Sequence, residues 1–126
     1  MPASHAVVWI DHHHAQVVQI DAEHVHTQKL KEHKHYTRQH GSEVRSEHEF
    51  FAQVCDALAG FDAVLVTGSQ MAQAAFRHYV DKHRAALAPK IAGWETVGQP
   101  TEGELVELAR QFFVKRGEMP ATPRLR

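Results

Sequence analysis

The sequence predicts an α/β protein: a five-stranded mixed sheet, built from a three-strand antiparallel meander plus two parallel strands, with three helices. Three observations lead there. Three β-type runs follow one another over residues 6–31 with room only for short turns. Two later apolar runs are each preceded by a stretch of helical period, and Ser46-x-x-Glu49 and Thr101-x-x-Glu104 carry the pattern of capping boxes. Strands joined by tight turns pair antiparallel, whereas strands separated by helices are added in parallel by right-handed crossovers.

Ala6 to Ile10 offers no polar alternation, the mark of a strand covered on both faces. A second strand runs from about His14 to Ile20, the pair Asp21 and Ala22 supplies a tight reversal, and a third, more polar strand spans roughly Glu23 to Lys31, as an edge strand does. Glu32 to Arg45 has no hydrophobic period and reads as an exposed loop, long for so small a domain. Ser46 then caps a first helix with Phe50, Phe51, Val54, Cys55 and Leu58 on one face and Gly60 at its end. Ala63 to Gly68 is a wholly apolar run entering a glycine turn, the pattern of a buried central strand. The second helix covers about Ser69 to Arg84, with Met71, Ala72, Ala75, Phe76, Tyr79 and Val80 as its apolar stripe. After Pro89 a last strand covers Ile91 to Val97, and Thr101 opens a final helix that turns Leu105, Leu108, Ala109, Phe112 and Phe113 inward. One domain over residues 1–116 is expected, then a tail over 117–126 with two prolines and no core residue. This order of elements is the layout of the ribonuclease H-like fold.

Composition narrows the function. The 126 residues are 43% hydrophobic and 23% charged, with 14 basic against 15 acidic side chains, so a polyanion would have to be met by a local patch. A single cysteine, Cys55, excludes an internal disulfide and a cysteine-based zinc site. No apolar run has signal-peptide or transmembrane length, which points to a cytoplasmic protein without a membrane partner. Twelve histidines are the compositional anomaly.

Three passages resemble the middle domain of the archaeo-eukaryotic release factor and Pelota superfamily: "FFAQVCDAL" from Phe50 to Leu58, "VLVTGSQMAQAAFRHYV" from Val64 to Val80, and the basic loop from Lys34 to Arg45 between strand three and helix one. Over about residues 5–114 the chain resembles small bacterial proteins that carry this domain alone and are labelled translational machinery proteins. The resemblance implies the ribonuclease H-like fold, a translation-related role, and a ribosome or RNA contact made by the loop. Release factors of that superfamily carry Gly-Gly-Gln in the loop, and the glutamine takes part in peptidyl-tRNA hydrolysis. Here "RQHGSE" has one glycine, Gly41, and no glutamine after it, so hydrolysis is not expected. A full Pelota-type rescue role is not expected either, because the sequence shows no flanking domains for decoding or for recruiting a GTPase.

The candidate RNA- or ribosome-binding residues are therefore Lys29, Lys31, Lys34, Tyr36, Arg38, His40 and Arg45. Their cations suit phosphates, and the aromatic rings among them suit stacking on unpaired bases. The bland alternative is a solvated loop whose charge is interrupted by Glu32 and Glu43. A histidine-based metal-binding or sensing protein is the second reading. In "IDHHHAQVVQIDAEHVH" the hairpin puts His12, His13 and His14 at one end of strand two and His24 and His26 near the other. About seven residues at roughly 3.3 Å each separate the groups, too far to share an ion bound at about 2 Å, which leaves His24 and His26 as the alternative metal pair.

A divalent-metal nuclease is the third reading and is disfavoured. Asp11 ends strand one and Glu47 or Glu49 approach from helix one, but strand four ends in "VTGS" with no second carboxylate. The "TGSQ" turn reads as a glycine turn with Ser69 as N-cap and lacks the second glycine or lysine of a phosphate loop. Cys55 sits on an apolar stripe without a neighbouring base, and His78 and His83, five apart, are expected on different helix faces. No catalytic residue and no cofactor is expected. The open edge of strand three invites pairing with a second copy, a tendency its Lys and His residues oppose.

Overall fold

Nine elements follow in order: β1 (His5–Ile10), β2 (His14–Ile20), β3 (Val25–Lys31), α1 (Ser42–Leu58), β4 (Ala63–Gly68), α2 (Gln70–His83), a 3₁₀ segment (Ala85–Lys90), β5 (Ile91–Thr96) and α3 (Glu102–Lys115). The computed structural model describes residues 4–20, 25–32 and 42–117, for 42–45 the backbone alone. The sheet order is β3-β2-β1-β4-β5. β1 pairs antiparallel with β2 and β2 with β3, while β1, β4 and β5 run parallel. The predicted meander plus two parallel strands is what forms.

Alternation within the strands divides the core in two. Ala6, Val8 and Ile10 of β1 point to one face with Ala15, Val17, Val64 and Val66, and are covered by Phe50, Phe51, Val54, Cys55 and Leu58 of α1 and Ala72, Phe76, Tyr79 and Val80 of α2. Val7 points to the other with Val18, Ile20, Ala63 and Leu65, covered by Leu105, Val106, Ala109 and Phe113 of α3. β1 is thus buried on both sides, as its unbroken apolar run required. On the α3 side His5, only 4% exposed, meets Phe113 edge-on at 4.6 Å between centroids.

The far end of the β1–β4 seam is set by a glycine. Gly68 has φ 140° and pairs with Ile10, and a Cβ built on it would overlap the Ile10 carbonyl oxygen. No L side chain fits that conformation or that space. Its own carbonyl accepts from Val97 N at 3.0 Å and from Gln73 Nε2 at 2.7 Å. Gln73 also donates to Glu95 O at 2.8 Å, so one buried amide ties α2 to the ends of β4 and β5. Ser69 caps α2 by accepting from Ala72 N, and the Thr101–Glu104 capping box forms in full at α3.

Three expectations change. α1 begins at Ser42, a turn before the expected cap, so Arg45 lies on a helix and Ser46 is buried inside it. Nothing in Ser42 to Arg45 breaks a helix, and the hydrophobic period reports only the part of a helix that packs. Met71 is 74% exposed, because the buried stripe of α2 runs through Ala72 and Gln73 instead. β5 stops at Thr96, and a 3₁₀ segment containing Pro89 fills the stretch after α2. The described part of β3 starts at Val25; the Asp21–Ala22 turn and Glu23, like the tail residues 118–126, lie outside the described residues.

Two outcomes follow. Gly68→Ala is expected to cost roughly 3 kcal/mol of stability, measured by urea unfolding, through combined backbone strain and overlap with β1. Cys55 is 1% exposed, and burial pushes its thiol from the ordinary 9.0 up to about 11, against the opposing pull of Arg84. Below about pH 9 the thiol is protonated both folded and unfolded; between about 9 and 11 the unfolded chain releases the proton first, so this contribution to stability is lost as pH rises through that window. Native protein at pH 8 is expected to resist a thiol-reactive dye that labels one equivalent in denaturant.

Candidate functional site

The predicted RNA-binding set divides into what the structure describes and what it does not. Lys34, Tyr36, Arg38 and His40 lie outside the described residues, as does His24. Lys29 and Lys31 stand on β3, and Arg45 stands in the first turns of α1, so the described members flank residues 33–41 on both sides.

β3 places its two lysines on one face. Lys29 is opposite Gln16 and Lys31 opposite His14, and all four side chains share the sheet face that α3 covers farther along, over Val18 and Ile20. Beyond α3 the described side chains on this face are exposed or half-buried. Both lysines and His14 are exposed, and Gln16 is half-buried. Trp9 continues the row from Gln16 into β1, with its indole N–H donating to Gly98 O at 2.8 Å. Neither lysine makes an ion pair among the described residues. The result is a strip of two free cations, an amide, an imidazole and an indole edge.

Glu32, which interrupts the basic run in the sequence, is withdrawn from this strip. Its side chain is 6% exposed, its Oε1 lies 2.9 Å from His13 Nδ1, and its backbone N–H donates to His13 O at 2.8 Å. The next acid in space, Asp11, is also taken: Oδ1 accepts from the backbone N–H of His13 at 2.7 Å and of His14 at 2.6 Å, closing the β1–β2 turn. This local bonding is what an aspartate at a turn does best. Both carboxylates are engaged locally, and neither pairs with Lys29 or Lys31 among the described residues.

Among the described residues the carboxylate cluster of a two-metal nuclease does not assemble. At the end of β4, Thr67 is fully buried and donates to Val8 O at 2.9 Å, Gly68 makes the turn and Ser69 caps α2. Glu47 lines a different place, a cleft of about 270 Å³ between α1 and α2. That cleft corrects one expectation, because His78 and His83 both line it, with His48 and Tyr79. Ring centroids are 5.5 Å apart for His48 and His83 and 4.9 Å for Tyr79 and His83. The two α2 histidines flank Tyr79 and reach one groove from its two sides; only the contact with α1, which sequence spacing does not report, brings them together. His26 is exposed on β3, and no group of three His, Cys, Asp or Glu side chains among the described residues converges on a metal position. No helix among them is long and apolar enough to cross a membrane.

No protein-family model matches the chain, and no curated protein matches it in sequence. Its likeness is structural. Pelota from Archaeoglobus fulgidus superposes with a TM-score of 0.68 at 15% identity, over 94% of this chain and 34% of that one. The archaeal translation termination factor aRF1 gives 0.62 at 16% identity, over 91% and 35%, and the Thermoplasma acidophilum Pelota protein 0.62 at 16%, over 96% and 36%. The chain thus spans about a third of the length of these proteins. Its five-stranded sheet and three helices form the Pelota and aRF1 middle-domain-like fold that the three sequence passages resemble.

Proposed function

We propose that this chain is a translation-related protein that contacts ribosomal or other structured RNA through the basic stretch from Lys29 to Arg45 and does not itself hydrolyse peptidyl-tRNA. The observation that carries this reading is the placement of two exposed lysines at the root of that stretch. Lys29 and Lys31 stand exposed side by side on one sheet face, while the neighbouring Glu32 is held by His13 and Asp11 by two backbone amides. Lys34, Arg38 and Arg45 extend the same sign of charge toward α1, and Tyr36 and His40 add rings that stack on bases. The fold shared with Pelota and aRF1 supports a role around translation. Gly41 without a following glutamine supports binding rather than hydrolysis.

Purified chain is expected to co-sediment with ribosomes at low salt and to be released as salt rises. Replacing Lys34, Arg38 and Arg45 together by Ala removes up to three phosphate contacts, which lowers the log–log salt slope by about 2 to 3 and abolishes pelleting at moderate salt. A triple variant that pellets like the parent removes the loop from the interface. Incubation with ribosomes carrying peptidyl-tRNA is expected to release no peptide above the buffer control; release that tracks protein concentration would assign the chain a hydrolytic activity.

A further inference from the structure

The sheet ends on one side at β3, whose outer edge is met by no described residue. The direction of its free backbone groups follows from one bond. Glu32 N–H donates to His13 O, so residues 32, 30, 28 and 26 aim their amides at β2 and Val25, Thr27, Lys29 and Lys31 aim theirs outward. The side chains of those same four residues share the α3 face, because their partners across the ladder include Val18 and Ile20, which α3 covers. On that face the Thr27 hydroxyl donates to Glu102, in the first turn of α3.

We infer that β3 pairs antiparallel with the β3 of a second copy, about a two-fold axis through Gln28, joining two five-stranded sheets into one. The register is selected by chemistry. Outward-facing residues must oppose one another, so the axis passes through a residue and not between two. An axis through Gln28 uses all seven described residues of β3, setting Val25 against Lys31, Thr27 against Lys29 and Gln28 against itself. An axis at Lys29 sets like charges face to face, and one at Leu30 opposes Lys29 and Lys31; directly opposed like charges destabilise a ladder.

In the Gln28 register each complementary group finds its counterpart. Opposed residues lie on the same face, so the Lys29 ammonium of one copy stands beside the Thr27–Glu102 pair of the other, and the two-fold repeats the contact. Val25, 42% exposed and one of the two large apolar side chains left in solvent among the described residues, is covered by the methylene stem of Lys31. The lysines that would keep an edge strand solitary are staggered rather than matched: Lys29 meets its counter-charge on α3, whereas only the stem of Lys31 packs and its ammonium stays at the rim for the proposed RNA contact. The two Lys31 residues fall at opposite ends of the shared ladder.

The tests need no RNA and leave Lys34, Arg38 and Arg45 in place, so their outcome is separate from that of the ribosome experiment. Light scattering on the full chain is expected to show twice the monomer mass at high micromolar concentration. Gln28→Cys puts a thiol on the axis at a non-hydrogen-bonded pair, where Cα atoms stand about 4.5 Å apart, within disulfide reach. Mild oxidation is expected to link this variant into a covalent dimer, and Thr27→Cys, displaced from the axis, is expected not to link; buried Cys55 supplies no background. Lys29→Glu is expected to weaken association by about tenfold, and adding Glu102→Lys to restore it. A monomer at every concentration overturns the inference, as does a dimer that ignores both charge changes and fails to link through Gln28→Cys.

Discussion

Strand β1 is bonded along both edges and covered on both faces, so apart from the half-buried Trp9 its side chains have no water to fall back on. Its unbroken run of small and β-branched apolar residues meets that condition, and the condition then dictates the neighbours. One edge takes β2 through a tight turn, which needs Asp11 to hold the amides of His13 and His14. The other takes β4 in parallel, which needs a connection long enough for α1 and a terminal residue able to lie against Ile10 without a side chain. Two faces demand two covers, and the amphipathic stripes of α1 and α2 serve one while α3 serves the other.

The rim where β1 and β4 end is where a sheet of this type offers positions for chemistry. In this chain those positions carry architecture. Asp11 closes a turn, Thr67 bonds β1, Gly68 accommodates Ile10, and Gln73 joins β4 to β5. What remains outside this bonding is positive charge on one strip of β3, beside the segment that links it to α1.

Much of this was legible in the sequence, because signals of period and punctuation coincide. β2 and β4 begin and end where His14, Ile20, Ala63 and Gly68 marked them, and the Thr101 capping box forms as read. The failures are of one kind. Local patterns overstated Ser46, whose capping signature lies inside a helix that Ser42 had already begun, and Met71, which is apolar but turned to solvent. Gln73 could not be read as a buried tie, since its partners are carbonyls on two strands that meet only in the folded sheet. The gathering of His48, Tyr79 and His83 was invisible for the same reason: it belongs to the contact of two helices and to neither sequence alone.

The parallel seam between β1 and β4 also imposes an order on assembly. Thr67 and Val8, which hydrogen-bond across it, are 59 positions apart, whereas the β1–β2–β3 meander closes through local turns. During synthesis at about 5–20 residues per second the meander, complete at Lys31, emerges roughly 2–7 s before β4 is complete at Gly68. For that interval β1 is an edge strand whose α3 face has no cover and whose other face only the emerging α1 can meet. Contacts of such separation are slow to form in any case. A strand covered on both faces in the finished protein thus waits with one edge and one face open in the nascent chain, and any help its folding receives would act on that interval.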